Sequence, residues 1–412
     1  MFLERLFAQQ TQPEATWDLK DPPQWVLDMF GGKDTSSGER VTEANALIHP
    51  DIFSCVQVLA DDVAKLPVHT FLKNDKGIQR DTKHSVSRLL SRKPNPYMTA
   101  FIWKKLMMTH VSIRGNAYSL IEFDKYGEIK ALVPLNPERT HPYIDPKSGM
   151  LWYQTSHNGK PLELYDEQVL HFKGMSEDGI NGKSPIAVVR EHIGAQAAAT
   201  KYNAKLYKND ATPRGILKVP TMLKSPAKDE VRKEWKRVNA GESIAIVDNG
   251  LEYQSISVPL QDAQFIESMK FNKSQIAAIF KVPLHKVNEL ERSTFNNIEH
   301  QSIEYVKNTL QPWLTMFEQE INTKCFTDKE LDDGYYVRYN VNSELRGDSK
   351  TRAEFYEIMQ RISGLSINEI RELEERNGIG EIGDRHLVTL NYTFLDLLEQ
   401  YQIAKATKGG GE

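Results

Sequence analysis

The sequence predicts an α+β protein in which blocks of short antiparallel strands alternate with long helices. Apolar residues recur every three or four positions in several segments, most clearly over residues 303–321, which is the spacing of one helix face. Between residues 115 and 172 the pattern changes to short apolar runs separated by Gly, Pro, Asn and Asp, which is typical of strands joined by turns. A chain of 412 residues is long enough to divide into two to four substructures.

Composition excludes several classes of protein. The formal charge is −4, from 52 basic and 56 acidic residues, whereas a protein whose main role is to hold nucleic acid usually has a basic excess. The two cysteines, Cys55 and Cys325, lie far apart and predict a reducing compartment without a disulfide framework. The N-terminus has no signal-peptide core and no run reaches 18 apolar residues, so we expect a soluble protein.

The first 183 residues predict an arm followed by a mixed domain. Residues 1–41 have little pattern and are expected to be mobile. A helix should begin at Pro50 and end before Pro67, with a strand after it and a second helix over residues 99–112. Gly115-Asn116 and Tyr126-Gly127 predict turns, and further strands are expected near residues 118–121, 152–153, 162–165 and 169–172.

The next segment predicts a long helix and a small basic module. Ser184 is a favourable N-cap and Pro185 a favourable first helical residue. Residues 211–258 then predict a strand over residues 215–219, a helix over residues 228–239 and a hairpin turning at residues 248–250. Residues 211–241 hold eight basic and three acidic side chains. A solvated helix face is the ordinary explanation of such an excess.

Two helices joined by a polar loop follow. The helix over residues 262–280 should end before Pro283, because a residue before proline is disfavoured in helices. Residues 284–295 form the polar loop, and a long helix over residues 296–324 follows. Pro312 lies inside that helix and should kink it. Its apolar stripe fits an ordinary buried helix equally well: Ile303, Val306, Leu310, Trp313, Phe317 and Ile321.

Motifs for catalysis and for cofactor or metal binding are incomplete. GINGKS at residues 179–184 lacks the first glycine of a phosphate-binding loop, since Glu177 occupies that place. GMSEDG at residues 174–179 has one residue too many for a nucleophile elbow. The eleven histidines show no metal-binding spacing. The sequence therefore predicts no active site, no cofactor and no metal.

The amino-acid identities of residues 274–322 are more informative than the helical spacing of their apolar side chains. SQIAAIFKVPLHKV, followed by ERSTFNNIEHQSIEYVKNTLQPWLTMFEQEIN, resembles the portal proteins of tailed double-stranded-DNA bacteriophages of the siphophage type. Residues 114–118, 132–137 and 169–171 also match short sequence motifs of that family. The resemblance covers about residues 48–385. It implies a ring-forming structural protein at one capsid vertex, and the near-neutral charge suits a channel through which DNA must slide.

The resemblance implies the portal fold: an α/β wing, a helical stem, a small α/β clip, a long kinked tunnel helix and a short helical crown. The expected bounds are an N-terminal arm at 1–41, the wing at 42–183, the first stem helix at 184–210, the clip at 211–258, the second stem helix at 259–283, the tunnel loop at 284–295, the tunnel helix at 296–326, a strand returning to the wing at 327–345, the crown at 346–400 and a disordered tail at 401–412.

The resemblance also implies partners and sites. The expected partners are eleven further copies in a dodecameric ring, the terminase large subunit, a head-completion or adaptor protein, the major capsid and scaffold proteins, and double-stranded DNA bound without sequence preference. No membrane is implied, and the expected location is the virion after assembly in the host cytoplasm. The expected DNA-facing residues of the tunnel loop are Lys286, Asn288, Glu289 and Arg292. Pro312 is expected to set the helix kink, and the expected motor contacts of the clip are Arg232, Lys233, Lys236 and Arg237.

Two alternatives from other classes stay open at this point. One is a soluble nucleic-acid-processing enzyme that binds through the basic module at 211–241, which would require hydrolysis or metal dependence. The other is a monomeric adaptor whose helix pair is ordinary core, which would not form a ring.

Overall fold

A computed structural model describes residues 35–75, 77–157, 160–208, 215–218, 225–229, 233, 252–255, 262–287, 301, 303–341, 349–374 and 376–387. The chain divides into two compact units. The first comprises Met1–Asp61, Lys104–Glu128 and Val133–Leu290, and the second comprises Asp62–Trp103, Ile129–Leu132 and Glu291–Glu412.

Helices and strands are interspersed, as the α+β prediction requires. The helices are α1 Pro50–Lys65, α2 Ser85–Ser91, α3 Ala100–Arg114, α4 Pro185–Lys208, α5 Asp262–Ile279, α6 Gln311–Cys325, α7 Asp328–Asp332, α8 Ser349–Arg361 and α9 Ile367–Leu373. The strands are β1 Val68–Asn74, β2 Gly77–Arg80, β3 Asn116–Phe123, β4 Ile129–Leu135, β5 His141–Ile144, β6 Leu151–His157, β7 Lys160–Tyr165, β8 Val169–Lys173, β9 Gly215–Lys218, β10 Glu252–Ser255 and β11 Tyr335–Tyr339.

The predicted helix at Pro50 is confirmed in type and extent. Its buried face holds Ile52, Cys55, Val56, Leu59, Ala60 and Val63. The helical spacing of apolar residues also assigns Phe53 to this face, but Phe53 is 50% exposed. Pro67 ends the helix as predicted, since β1 starts at the next residue. Four elements were not predicted: β2, α2, β5 and α7.

Two three-stranded antiparallel sheets fall in the part of the chain predicted to be the wing. Their strand orders are β4-β3-β8 and β5-β6-β7. Tyr118, Leu135, Tyr153, Leu164 and Val169 form one buried apolar cluster that joins them. The turn between β3 and β4 forms at the predicted Tyr126-Gly127 step, where Gly127 has a φ of 85° and the Asp124 carboxylate accepts the backbone N–H of Tyr126 at 2.8 Å.

The second unit contains a sheet of order β11-β1-β2 and the helix α6. Two polar side chains of α6 bind the backbone of β11. Asn322 Oδ1 accepts the N–H of Val337 at 2.7 Å, and Glu318 Oε1 accepts the N–H of Tyr339 at 2.7 Å. The strand predicted to follow Cys325 is therefore present as β11, paired antiparallel with β1.

The apolar stripe of the predicted long helix is buried over most of its length. Val306, Leu310, Phe317 and Ile321 are at most 5% exposed. Ile303, at the start of the stripe, is 47% exposed, and Leu314 is fully buried although the predicted stripe contained Trp313 instead. A π-helical turn over Val306–Leu310 lies within this stripe.

The segment expected to be the helical crown, residues 346–400, contains α8 and α9. Ser366 caps α9 through a capping box with Glu369. Tyr356 of α8 donates its hydroxyl to Glu374 at 2.8 Å, beyond the end of α9. The predicted crown extends to residue 400, and residues 388–400 lie outside the described part of the chain, as does the predicted tail at 401–412.

Candidate functional site

The start of helix α4 is bound to the helix and strand that precede it in the first unit. The Ser184 hydroxyl accepts the N–H of Ala187 at 3.4 Å, so the predicted N-cap is present. The same hydroxyl donates to the carbonyl of Ile113 at 2.7 Å. One serine thus both begins α4 and fixes its first turn to the end of α3.

Asn116 makes the second connection to the same loop. Its amide Nδ2 donates to the carbonyl of Gly182 at 2.7 Å, and its Oδ1 accepts the N–H of Gly182 at 2.8 Å. Oδ1 also lies 2.9 Å from Nε2 of His171, which is 1% exposed. Because Oδ1 can only accept, His171 carries a proton on Nε2. Its Nδ1 lies 3.1 Å from the hydroxyl of Tyr153, and that hydroxyl also donates to Oδ1 of Asp166 at 3.3 Å.

This network joins β3, β8, β6 and the loop before α4. Asn116 belongs to the segment 114–118 and His171 to the segment 169–171, which are two of the sequence motifs on which the family resemblance rests. We call Asn116, Tyr153, His171 and Gly182 the loop anchor. Sequence reasoning identified both segments but did not predict that their side chains meet, because nothing in the sequence pairs β3 with β8.

The same loop contains the GINGKS motif, in which Gly182 has a structural role. A Cβ on Gly182 would lie 1.9 Å from the carbonyl oxygen of Gly115, and a Cβ on Gly115 would lie 2.2 Å from the carbonyl oxygen of Lys183. The backbones of residues 115 and 182 are therefore in direct contact. The glycine serves this close approach, and its N–H is already bound to Asn116. The prediction that the motif is not a phosphate-binding loop agrees with this geometry.

The end of the predicted N-terminal arm packs against helix α4. Thr35 is buried over Gly194, where an added Cβ would lie 2.3 Å from the threonine Oγ1. Ser36 donates its backbone N–H to Glu191 at 3.1 Å, and its hydroxyl also binds that carboxylate. Lys201 pairs with Glu39 at 2.5 Å. Within the arm that was expected to be mobile, Thr35, Ser36 and Glu39 therefore hold defined contacts with α4, whereas residues 1–34 lie outside the described part of the chain.

Helix α5 contacts α4 and ends at Ile279, four residues before Pro283, so it stops before the proline as the sequence predicted. The N–H of Lys281 bonds to the carbonyl of Ala278 at 3.0 Å and that of Val282 to the carbonyl of Ala277 at 2.9 Å. This is the hydrogen-bond pattern of a Schellman C-cap. Lys281 occupies its left-handed position with a φ of 53°, where glycine is usual.

The described start of the predicted tunnel loop is a short 3₁₀ turn, Leu284–Val287. Lys286 lies in it and is partly exposed, and its N–H bonds to the carbonyl of Pro283 at 3.0 Å. Burial and then the charge of Lys286 lower the pKa of His285. Asn288, Glu289 and Arg292 lie outside the described residues, so the structure brings none of the four predicted DNA-facing side chains together.

Pro312 lies directly after the π-helical turn and is exposed on α6. The N–H of Gln311 bonds to the carbonyl of Val306, five residues back, and Gln311 keeps helical angles of −54° and −43°. A π turn lets a helix continue where a proline removes a regular bond and crowds the preceding turn. The π turn coincides with the site of the predicted kink, and the role of Pro312 in bending the helix stays a prediction.

Within the predicted clip, the structure describes one strand pair and one helical turn. β9 pairs antiparallel with β10, from Gly215 opposite Ser255 to Lys218 opposite Glu252. Helical residues begin at 225, three positions before the predicted start. Lys233 is helical and exposed, whereas Arg232, Lys236 and Arg237 lie outside the described residues. The predicted hairpin turn at residues 248–250 also lies outside them.

Burial shifts the pKa values of both cysteines and of His110. Burial, followed by the charge of Asp51, raises the pKa of Cys55 to about 12, and burial followed by Glu320 raises that of Cys325 to about 12. Burial and then Arg114 lower the pKa of His110 to about 4. Among the described residues, no three His, Cys, Asp or Glu side chains are grouped closely enough to hold a metal ion. None of the described helices is long and apolar enough to cross a bilayer.

Comparison with known proteins identifies the class. The profile of the family described as Phage portal protein matches residues 50–375, so the chain belongs to that family. Portal proteins are structural, and this chain is therefore not an enzyme, which decides against the alternative of a nucleic-acid-processing enzyme.

The similarity extends to individual protein sequences and solved structures. The chain is 28% identical over 351 residues to the portal protein of Enterobacteria phage HK97, covering 83% of this chain and 81% of that protein. The crystal structure of an HK97 family phage portal protein from Corynebacterium diphtheriae matches with a TM-score of 0.56 at 15% identity, covering 74% of this chain and 97% of that one. A chain in the neck of a native gene transfer agent particle, computed with C12 symmetry, matches with a TM-score of 0.56 at 18% identity, covering 85% of this chain and 98% of that one.

Proposed function

We propose that twelve copies of this chain form a closed ring at one vertex of a capsid. Through its channel, double-stranded DNA would enter during packaging and leave at ejection. Membership of the portal family over residues 50–375 carries the proposal. The C12 symmetry stated for the gene transfer agent neck supports a ring of twelve, because heterologous contacts between identical copies close at a fixed number.

The first test is the mass of the full chain in solution, measured by light scattering behind a sizing column with negative-stain images of the same peak. We expect rings of about twelve copies with a central opening, at about the mass of twelve 47.1 kDa chains. Because ring closure can require other head proteins, the measurement is repeated with the phage's scaffold and capsid proteins present. A monomer in both conditions would contradict the ring and would favour the monomeric adaptor.

In this proposal the clip docks the terminase large subunit and later a head-completion or adaptor protein. The support is the basic excess at residues 211–241 together with the exposure of Lys233. Reversing the charges of Arg232, Lys233, Lys236 and Arg237 should weaken terminase binding without changing ring mass. The matched control reverses two other exposed lysines, Lys130 and Lys147. Equal terminase affinity for both sets of variants would remove the proposed role.

The proposed tunnel loop steadies DNA weakly, since one cation per subunit becomes a band of charge when repeated around a ring. Replacing Lys286 and Arg292 by alanine should change the rate or the retention of packaged DNA while the ring still forms. Pro312→Ala should restore a regular helix in place of the π turn and alter packaging. Unchanged helix geometry and unchanged packaging in Pro312→Ala would show that the proline does not set the bend.

Capsid and scaffold proteins complete the proposed partners, with assembly in the host cytoplasm and a final location in the virion. The relatives are named as portal proteins or come from particle necks, which supports this placement.

A further inference from the structure

The outer face of the β5-β6-β7 sheet carries a row of three aromatic side chains. Tyr143 pairs with Trp152 across β5 and β6, and Trp152 pairs with Tyr165 across β6 and β7. Residues directly opposite in adjacent strands point to the same face of a sheet. The ring centroids of Trp152 and Tyr165 are 4.1 Å apart.

This row lies on the face opposite to the core. The neighbouring residues Tyr153 and Leu164 are 0% and 4% exposed and belong to the apolar cluster between the two sheets. Successive strand residues point to opposite faces, so Trp152 and Tyr165 point away from that cluster. All three aromatic residues are partly exposed. We call this surface the aromatic face.

Two polar groups on the aromatic face lack partners among the described residues. The indole Nε1 of Trp152 is shielded from solvent and has no hydrogen-bond acceptor there. A shielded donor without an acceptor is costly, so this part of the face is not at its most stable arrangement in the isolated chain. Glu163, next but one to Tyr165 and opposite Gln154, has neither an ion pair nor a hydrogen bond within the described chain.

The electrostatics of the aromatic face favour a cation. Burial, then Glu163 and Asp145, raise the pKa of the Tyr143 hydroxyl, so both carboxylates act on the row. Burial also raises the pKa of Glu163, which means that its charge is incompletely solvated. Burial lowers the pKa of the nearby His141, which leaves that imidazole neutral near pH 7. The unpaired carboxylate of Glu163 repels phosphate, which makes nucleic acid a poor ligand for this face.

The edges of this sheet are poorly suited to binding by strand addition. Pro142 lies within β5 and Pro161 within β7, the two edge strands. A proline cannot donate a ladder hydrogen bond and is a common protection of sheet edges. A partner must therefore contact the face through side chains.

We propose that the aromatic face is a docking site for an arginine-bearing segment of a partner protein. The planar guanidinium stacks on the aromatic row and pairs with Glu163. Arginine fits this surface better than lysine because its flat, delocalised cation stacks on aromatic rings and binds a carboxylate with two parallel bonds.

The test is calorimetric titration of the full chain with a capped Gly-Arg-Gly-Arg-Gly peptide and with the same peptide containing citrulline, the neutral analogue of arginine. We expect saturable binding of the arginine peptide and binding about tenfold weaker for citrulline. Trp152→Leu and Glu163→Gln should each weaken arginine binding by a similar factor. Tyr126→Leu and Glu128→Gln are matched controls, since both residues are exposed on the β3–β4 turn, and they should change nothing.

Three results would overturn the proposal. Equal affinity for the two peptides, or no measurable binding of either, would remove the role of the cation. Unchanged affinity in both Trp152→Leu and Glu163→Gln, with thermal unfolding confirming that both fold, would place any binding elsewhere. A smaller assembly mass for Trp152→Leu than for wild type would assign the aromatic face to contacts between copies of this chain.

Discussion

Replacing Asn116 by alanine should lower the free energy of unfolding by about 4 to 6 kcal/mol. Four hydrogen bonds of Asn116 are lost: two with the backbone of Gly182, at 2.7 and 2.8 Å, one with His171 at 2.9 Å, and a longer one to the carbonyl of Arg114 at 3.3 Å. Each of the three shorter bonds contributes about 1 kcal/mol net, and a shielded group left without a partner adds a penalty of about 1 to 3 kcal/mol. His171 is 1% exposed, so water cannot readily replace the lost acceptor.

The measurement is urea denaturation of the wild-type chain and of Asn116→Ala, accompanied by amide hydrogen exchange at Gly182. We expect the N–H of Gly182 to exchange faster in the variant, because its acceptor is Asn116 Oδ1. Asn136→Ala is the matched control, since that side chain caps an exposed turn by accepting the N–H of Glu138 at 2.9 Å. A loss below about 1 kcal/mol for Asn116→Ala, equal to the control, would refute the loop anchor as a stabilising network.

The remaining predictions concern single positions. Gly182→Ala should cost several kcal/mol in urea denaturation, because its Cβ would lie 1.9 Å from the carbonyl oxygen of Gly115; a cost near zero would show that the backbones separate freely. Lys281→Gly should stabilise the chain by about 1 kcal/mol by relieving a φ of 53°, whereas Lys270→Gly, inside α5, should destabilise it by about as much. Stability should fall by about 3 kcal/mol between pH 6.5 and 4 because of His110, whose pKa is about 4 in the folded chain and 6.5 when unfolded. In that window the unfolded chain binds the proton and the folded chain does not, so acid favours unfolding; His110→Gln should flatten this part of the pH profile.

Local chemistry made the helix and turn boundaries predictable. Pro67 and Pro283 ended helices, Ser184 with Pro185 began one, and Tyr126-Gly127 formed a hairpin turn, because each acts through the backbone of its own neighbourhood. The family was also predictable, since its motifs are runs of consecutive residues. The exposure of Phe53 and Ile303 could not be predicted, because the helical spacing of apolar residues does not say where a neighbouring element stops covering the helix face.

The sequence by itself determined the α+β class, the main helices, the portal family and the lack of a recognisable catalytic motif. These follow from the spacing of apolar residues, from proline and glycine residues that end helices or form turns, and from motifs of consecutive residues. All three act at short range along the chain. The tertiary structure alone decided that Asn116, His171 and Gly182 meet, although up to 66 residues separate them. It also decided that Tyr143, Trp152 and Tyr165 form one row, because strand register is fixed by packing and hydrogen bonding between strands, which a linear pattern does not contain.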